Sequence, residues 1–185
     1  MVSKAIRFTL VFMVLCGVVY PLVTTGLAKL IFPRQAEGSL IRAADGTVIG
    51  SQLIGQPVTR PDLFHDRISA VNYDASASGA SNLAPSDPAL VERVKADVSA
   101  WRQENPGQPV PTDLLTASGS GLDPHISPEA ARAQIPRVAQ ATGLDAARLQ
   151  ALVESQTEGR SLGLFGEPRV NVLQLNRALQ ALRGR

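Results

Sequence analysis

The 185-residue chain has a pI near 9.0, yet from Phe32 onward 15 basic residues face all 16 acids, interspersed rather than striped. The basic pI therefore belongs to residues flanking an apolar segment, and it argues against the phosphate-binding footprint of a nucleic-acid protein. The one cysteine, Cys16, excludes an intrachain disulfide framework and a cysteine-based zinc site, and 4 % aromatics leave the core to Leu, Val, Ile and Ala.

Residues 1–7 form a short basic tail carrying Lys4 and Arg7, and residues 8–30 read as a transmembrane helix. Phe8 to Ala28 holds no charged side chain and includes eleven Leu, Val or Phe residues. At about 1.5 Å per residue that stretch is roughly 31 Å long, the thickness of a hydrocarbon core. Pro21 predicts a kink, with Thr24 and Thr25 able to satisfy freed backbone groups. A cleaved signal peptide is the competing reading, with Gly26-Leu27-Ala28 as a small-x-small cleavage site. The apolar run exceeds the usual 7–15 residues of such segments, which favours the anchor. Thr9, Met13, Cys16, Gly17, Tyr20 and Thr24 recur at spacings of three and four. Small and polar residues on one stripe let a partner helix approach and hydrogen-bond, although each is also tolerated singly in lipid. Charge barely decides orientation. A short N-tail left in the cytoplasm is the simpler arrangement, which puts the following domain outside, periplasmic in a two-membrane bacterium.

Residues 31–185 read as one soluble α+β domain with a small antiparallel sheet and several helices. Ser39 to Leu53 predicts a hairpin turning at Asp45-Gly46, and Gln56 to Asn82 a long irregular loop. Ser86-Asp87-Pro88 starts a helix with Leu90, Val91, Val94, Val98 and Trp101 on one face, and Asn105 to Pro111 breaks it. Ser127-Pro128-Glu129 starts another, interrupted at Pro136 and ended by Gly143. Asp145 caps the next, with Leu149, Leu152 and Val153 inward. Asn171 caps the last, with Val172, Leu175, Leu179 and Leu182 as its buried stripe.

Chemistry is sparse. His65 and His125 are sixty residues apart, each near an aspartate, a pairing that chance supplies, so no metal is expected. No Gly-x4-Gly-Lys-Ser/Thr loop and no Asp-Lys-Thr-Gly phosphorylation motif is present. In Thr116-Ala-Ser-Gly-Ser-Gly-Leu-Asp-Pro-His125, a hydrolase would use Ser118 or Ser120 as nucleophile, His125 as base and Asp123 as its orienter. The Gly-x-Ser-x-Gly elbow is absent, and a packed turn whose polar side chains satisfy the backbone is the plainer reading.

Four stretches carry a resemblance: Gly50-Ser-Gln-Leu-Ile-Gly-Gln-Pro57, Ser81-Asn-Leu-Ala-Pro-Ser86, Asp113 through Pro128, and Gly166-Glu-Pro-Arg-Val-Asn-Val-Leu173. Together they resemble the C subunit of the Kdp potassium-transporting ATPase, from the membrane segment to the last helix. Ala80 and Ala84 stand where the family pattern has glycines, and Asp87 where it has asparagine. The resemblance implies an accessory, non-enzymatic subunit of the bacterial inner membrane. Its implied partners are a channel-like K⁺-binding subunit and a P-type ATP-hydrolysing subunit, besides the lipid bilayer; no nucleic acid is implied. It implies a role in assembly and as a catalytic chaperone raising ATP affinity, with no tightly bound cofactor but ATP in a transient complex. In that picture Gln156 is the candidate nucleotide contact, an amide able to donate and accept; it also reads as a plain helix-end residue in solvent. Direct ATP contact requires a cytoplasmic domain, whereas the anchor geometry requires an allosteric effect.

Overall fold

The computed structural model describes residues 1–43 and 45–184. Its contacts divide the chain into two units, Met1–Ser51 and Gln52–Arg185.

The N-terminal unit begins with α1 (Val2–Val14), a π-helical turn (Leu15–Val19) and α2 (Tyr20–Ile31). Together these form one run, Val2–Ile31, of 30 residues, whose most apolar 18-residue stretch has a mean hydropathy of 2.1 with none of it buried. It is the one helix among the described residues long and apolar enough to span a membrane. The π turn sits where Pro21 acts. Proline cannot donate to the carbonyl four residues back, and its ring crowds that carbonyl, so the preceding turn widens. The expected kink is thus a widened turn, and the Thr24 hydroxyl donates to Tyr20 O beside it. After α3 (Pro33–Ala36), β1 (Leu40–Arg42) pairs antiparallel with β2 (Val48–Ser51). Asp45 and Gly46 (φ +85°) lie in the connection, where Thr47 N–H donates to Asp45 Oδ1 at 2.9 Å.

The second unit opens with residues 52–87, which form no helix or strand. Then come α4 (Pro88–Glu104), α5 (Thr112–Leu115), β3 (His125–Ile126), α6 (Pro128–Ala133), α7 (Ile135–Thr142) and α8 (Ala146–Ser155). The chain ends with β4 (Thr157–Glu158), β5 (Arg169–Asn171) and α9 (Val172–Arg183). Four helices start as their sequences dictate. Asp87, Ser127, Asp145 and Asn171 each accept a backbone N–H of the first turn through the side chain. Gly143, at φ +72°, closes α7 in the left-handed conformation that glycine tolerates. Pro136 separates α6 from α7, since its missing N–H cannot extend the ladder.

β5 lies centrally between β3 and β4, antiparallel to both, pairing His125 with Asn171 and Thr157 with Val170. These strands of two or three residues are too short to show an alternating pattern in sequence. The core packs Ile126, Val138, Leu149, Val153, Val170, Leu175 and Leu179 around Phe64, a loop residue with no exposed surface. By contrast, α4 buries none of its residues: of the five apolar residues expected on one face, Leu90, Val94, Val98 and Trp101 are half-buried and Val91 is exposed.

Candidate functional site

The long loop is fastened to the helical core by side chains standing in for a missing strand. Asn176 Oδ1 accepts from Phe64 N–H at 2.8 Å while its Nδ2 donates to Phe64 O at 2.9 Å. Gln134, with no exposed surface, does the same for His65, accepting at 2.7 Å and donating at 3.2 Å. Arg137 donates to Gln134 Oε1 (2.7 Å), Leu63 O (3.0 Å) and Asn105 Oδ1 (3.3 Å). These bonds give the backbone of residues 63–65 the partners that burial demands. Sequence reasoning missed Asn176, Gln134 and Arg137. Arg137 and Asn176 signalled themselves only as polar residues on otherwise apolar helix faces, and Gln134 only as a polar residue at the junction of α6 and α7.

The Ser118–His125 turn is the second anchor of the loop. Ser118, 2 % exposed, donates its N–H to Ile68 O at 2.9 Å, and its hydroxyl accepts from Gly121 N–H at 3.1 Å. Ser120 Oγ accepts from Leu122 N–H at 3.1 Å, and Ser120 O receives Gly79 N–H at 2.9 Å. Gly121 has φ +70°, and a Cβ there would lie 2.5 Å from Val71 Cγ2 and 2.8 Å from Gly79 O. Only glycine fits so close an approach of two backbones. Among the described residues neither serine hydroxyl bonds a histidine, so the hydrolase arrangement is not assembled here.

Charged groups gather beside that turn. Asp123 bridges Arg67 Nη1 (3.1 Å) and His125 Nδ1 (3.2 Å), and also accepts His125 N–H at 3.1 Å. The His125 hydrogen bond, with Arg67 adding to it, holds the Asp123 carboxyl below the usual carboxylate range. An open cleft of about 310 Å³ is lined by Arg67, Asp113, Asp123, His125, Glu167 and Arg169. Nearby Asp66 behaves oppositely. Burial, reinforced by Asp123 and opposed by Gln56 N–H, pushes its carboxyl up to about 7, and its Oδ1 has no hydrogen-bond partner among the described residues. His65 sits elsewhere, 3.0 Å from Arg60 O and 3.6 Å from Glu104, with burial lowering its pKa. No three metal-ligating side chains converge among the described residues.

In the apolar helix, Thr9, Met13 and Cys16 line one shallow groove with Phe8 and Phe12. Gly17 lies within the π turn and Tyr20 just beyond it. A π turn adds one residue to the winding, so the regular spacing of three and four is interrupted between Cys16 and Tyr20. The Thr9 hydroxyl donates to Ala5 O at 3.0 Å. Gln156 forms the C-terminal cap of α8, half-buried, its N–H donating to Leu152 O at 3.1 Å and Val153 O at 3.2 Å.

Comparison with known proteins adds a second line of observation. A family model described as "KdpC: K⁺-transporting ATPase, c chain" matches residues 2–181. The chain is 51 % identical over 183 residues to the "Potassium-transporting ATPase KdpC subunit" of Bacillus cereus strain B4264, covering 97 % of this chain and 95 % of that one. The protein of the same name from Bacillus anthracis strain A0248 is 51 % identical over the same 97 % and 95 % shares.

Proposed function

The chain belongs to the KdpC family, the c chain of K⁺-transporting ATPases, and from that premise we propose that it is a membrane-anchored, non-hydrolysing subunit that stabilises the assembled pump and raises its affinity for ATP allosterically. The observation that carries the anchored part is the unburied apolar run Val2–Ile31. Its length matches a bilayer, and its exposed surface is stable only in lipid or against partner helices. The partners in this reading are the channel-like K⁺-binding subunit and the P-type ATP-hydrolysing subunit.

With the short basic N-tail in the cytoplasm, the Gln52–Arg185 unit lies on the far side of the membrane from ATP. The chain then acts by favouring one conformation of the pump, and only a difference in affinity between two pump states transmits the effect. The alternative placement, in which Gln156 touches nucleotide, needs the unit in the cytoplasm.

Two measurements separate them. Gln103, exposed on α4, is replaced by cysteine and treated with a membrane-impermeant maleimide in intact spheroplasts. Labelling is expected; protection puts the unit in the cytoplasm and overturns the allosteric reading. In the purified complex, removal of the chain is expected to weaken apparent ATP affinity by about 5- to 150-fold, the usual span of a coupling free energy. Gln156→Ala is expected to leave that affinity unchanged, and a loss as large as removal of the chain would restore direct contact.

A further inference from the structure

Between β4 and β5 the chain forms a small closed tip. Ser161 N–H donates to Phe165 O at 2.8 Å, Phe165 N–H to Ser161 O at 2.9 Å, and Gly163 N–H to Arg160 O at 3.0 Å. Three large apolar side chains stand on this tip: Leu162 is 89 % exposed, Leu164 76 % and Phe165 65 %. Among the described residues beyond Ser51 no other large apolar side chain is as exposed, Leu53 coming next at 61 %. Contiguous exposure of this kind marks an interaction surface rather than the scattered apolar residues of an ordinary exterior.

The backbone of the tip is set. Leu162 has φ +54°, a left-handed conformation that a leucine side chain disfavours, followed by Gly163 at +74°. An exposed leucine gains nothing from packing in that conformation, so the loop holds it outward against its preference. The flanks are also closed electrostatically. Arg160 pairs with Glu167 at 2.8 Å and Arg169 with Glu158 at 2.9 Å, which accounts for every charged side chain from 158 to 169.

We infer that residues 161–165 form a preorganised apolar plug that docks into an uncharged, apolar socket on another subunit of the transporter. This rests on the subunit reading above. Protein rather than lipid is favoured on two grounds. Elements that lie on membranes present unpaired Lys or Arg to headgroups and Trp or Tyr at the interface, and this tip has neither. A fixed, strained shape reduces the ordering lost on entering a shaped socket, whereas a fluid bilayer rewards apolar area alone. Mutually neutralised flanks also suit the charge-depleted centre of a protein interface.

The test uses the full chain, co-expressed with the other subunits and recovered in mild detergent through a tag on the ATP-hydrolysing subunit. The double variant Leu162→Ser, Phe165→Ser is expected to be retained about tenfold less than the wild type, as for a docking hot spot. Its thermal unfolding as a separately purified chain is expected to be unchanged. Leu162→Gly, which accepts the left-handed backbone and only removes the side chain, is expected to weaken retention in the same direction. Wild-type retention of both variants overturns the plug. For the lipid alternative, Leu164→Trp is reconstituted without other subunits in vesicles containing brominated lipid. The added fluorescence over that of Trp101 is expected to remain unquenched, and quenching overturns the inference in favour of the bilayer. Failure of the wild-type chain itself to co-purify would overturn the subunit reading, an outcome distinct from any result with the variants.

Discussion

Asp66 is the residue whose chemistry departs furthest from its type. The unfolded chain holds its carboxyl near about 3.9, while burial in the fold pushes it up to about 7. The folded state therefore binds this proton more tightly. The associated stability is complete below the unfolded value and is lost as pH rises towards the folded value. Asp66→Asn keeps the shape without the charge. It is expected to stabilise the protein by roughly 2–4 kcal/mol at pH 8 and by almost nothing near pH 4, read from thermal unfolding at the two pH values. Gly121→Ala meets Val71 and Gly79 O at a positive φ and is expected to cost roughly 2–5 kcal/mol, read from denaturant unfolding with unchanged slope. Asn176→Ala leaves both Phe64 backbone groups buried without the bonds they now make. A loss of about 2–4 kcal/mol is expected, together with faster amide exchange at Phe64.

At the scale of elements, helix starts were legible because capping is local. Asp87, Ser127, Asp145 and Asn171 act within four residues of themselves, and so do the prolines and Gly143. The buried stripes of α8 and α9 were legible for the same reason, since a repeat of 3.6 residues needs no partner to be seen. The three-stranded sheet was not, because each strand is only two or three residues long and its pairing depends on distant chain. The π turn escaped too: Pro21 signalled a disturbance but not its form. That turn divides the Thr9–Thr24 stripe into two segments, with Gly17 at the junction, where a side chain's first carbon would meet nothing within 4 Å. On the proposed subunit reading, Gly17→Leu would fill the open space through which a partner helix approaches. It is expected to lower recovery of the chain with its complex several-fold, by about the 1–2 kcal/mol typical of interhelical contacts, without altering unfolding of the Gln52–Arg185 unit.

At the scale of the molecule, the run Val2–Ile31 exposes Leu, Val and Phe along its whole length, so the chain needs a second environment besides water. It is expected to stay with the membrane pellet after alkaline carbonate washing. Deletion of residues 2–31 is expected to move the remaining unit into the supernatant, as immunoblotting of the two fractions would show. Recovery of the full chain in the supernatant would contradict the anchor. The two units differ in this respect: the first exposes the apolar residues of its long helix, and the second encloses a core around Phe64.

The apolar run, the helix caps, the α+β class and the family resemblance were determined by the sequence alone, because each depends on residues near one another in the chain or on a motif copied whole. Folding decided what depends on distant contacts. It set Phe64 in the core, gave Gln134 and Asn176 the hydrogen bonds of an absent strand, and turned the Ser118–His125 segment into a clasp for the long loop. It also raised Asp66 by burial and left the 161–165 tip facing outward. Burial and long-range pairing are properties of three-dimensional neighbours, and a linear sequence does not say which neighbours those are.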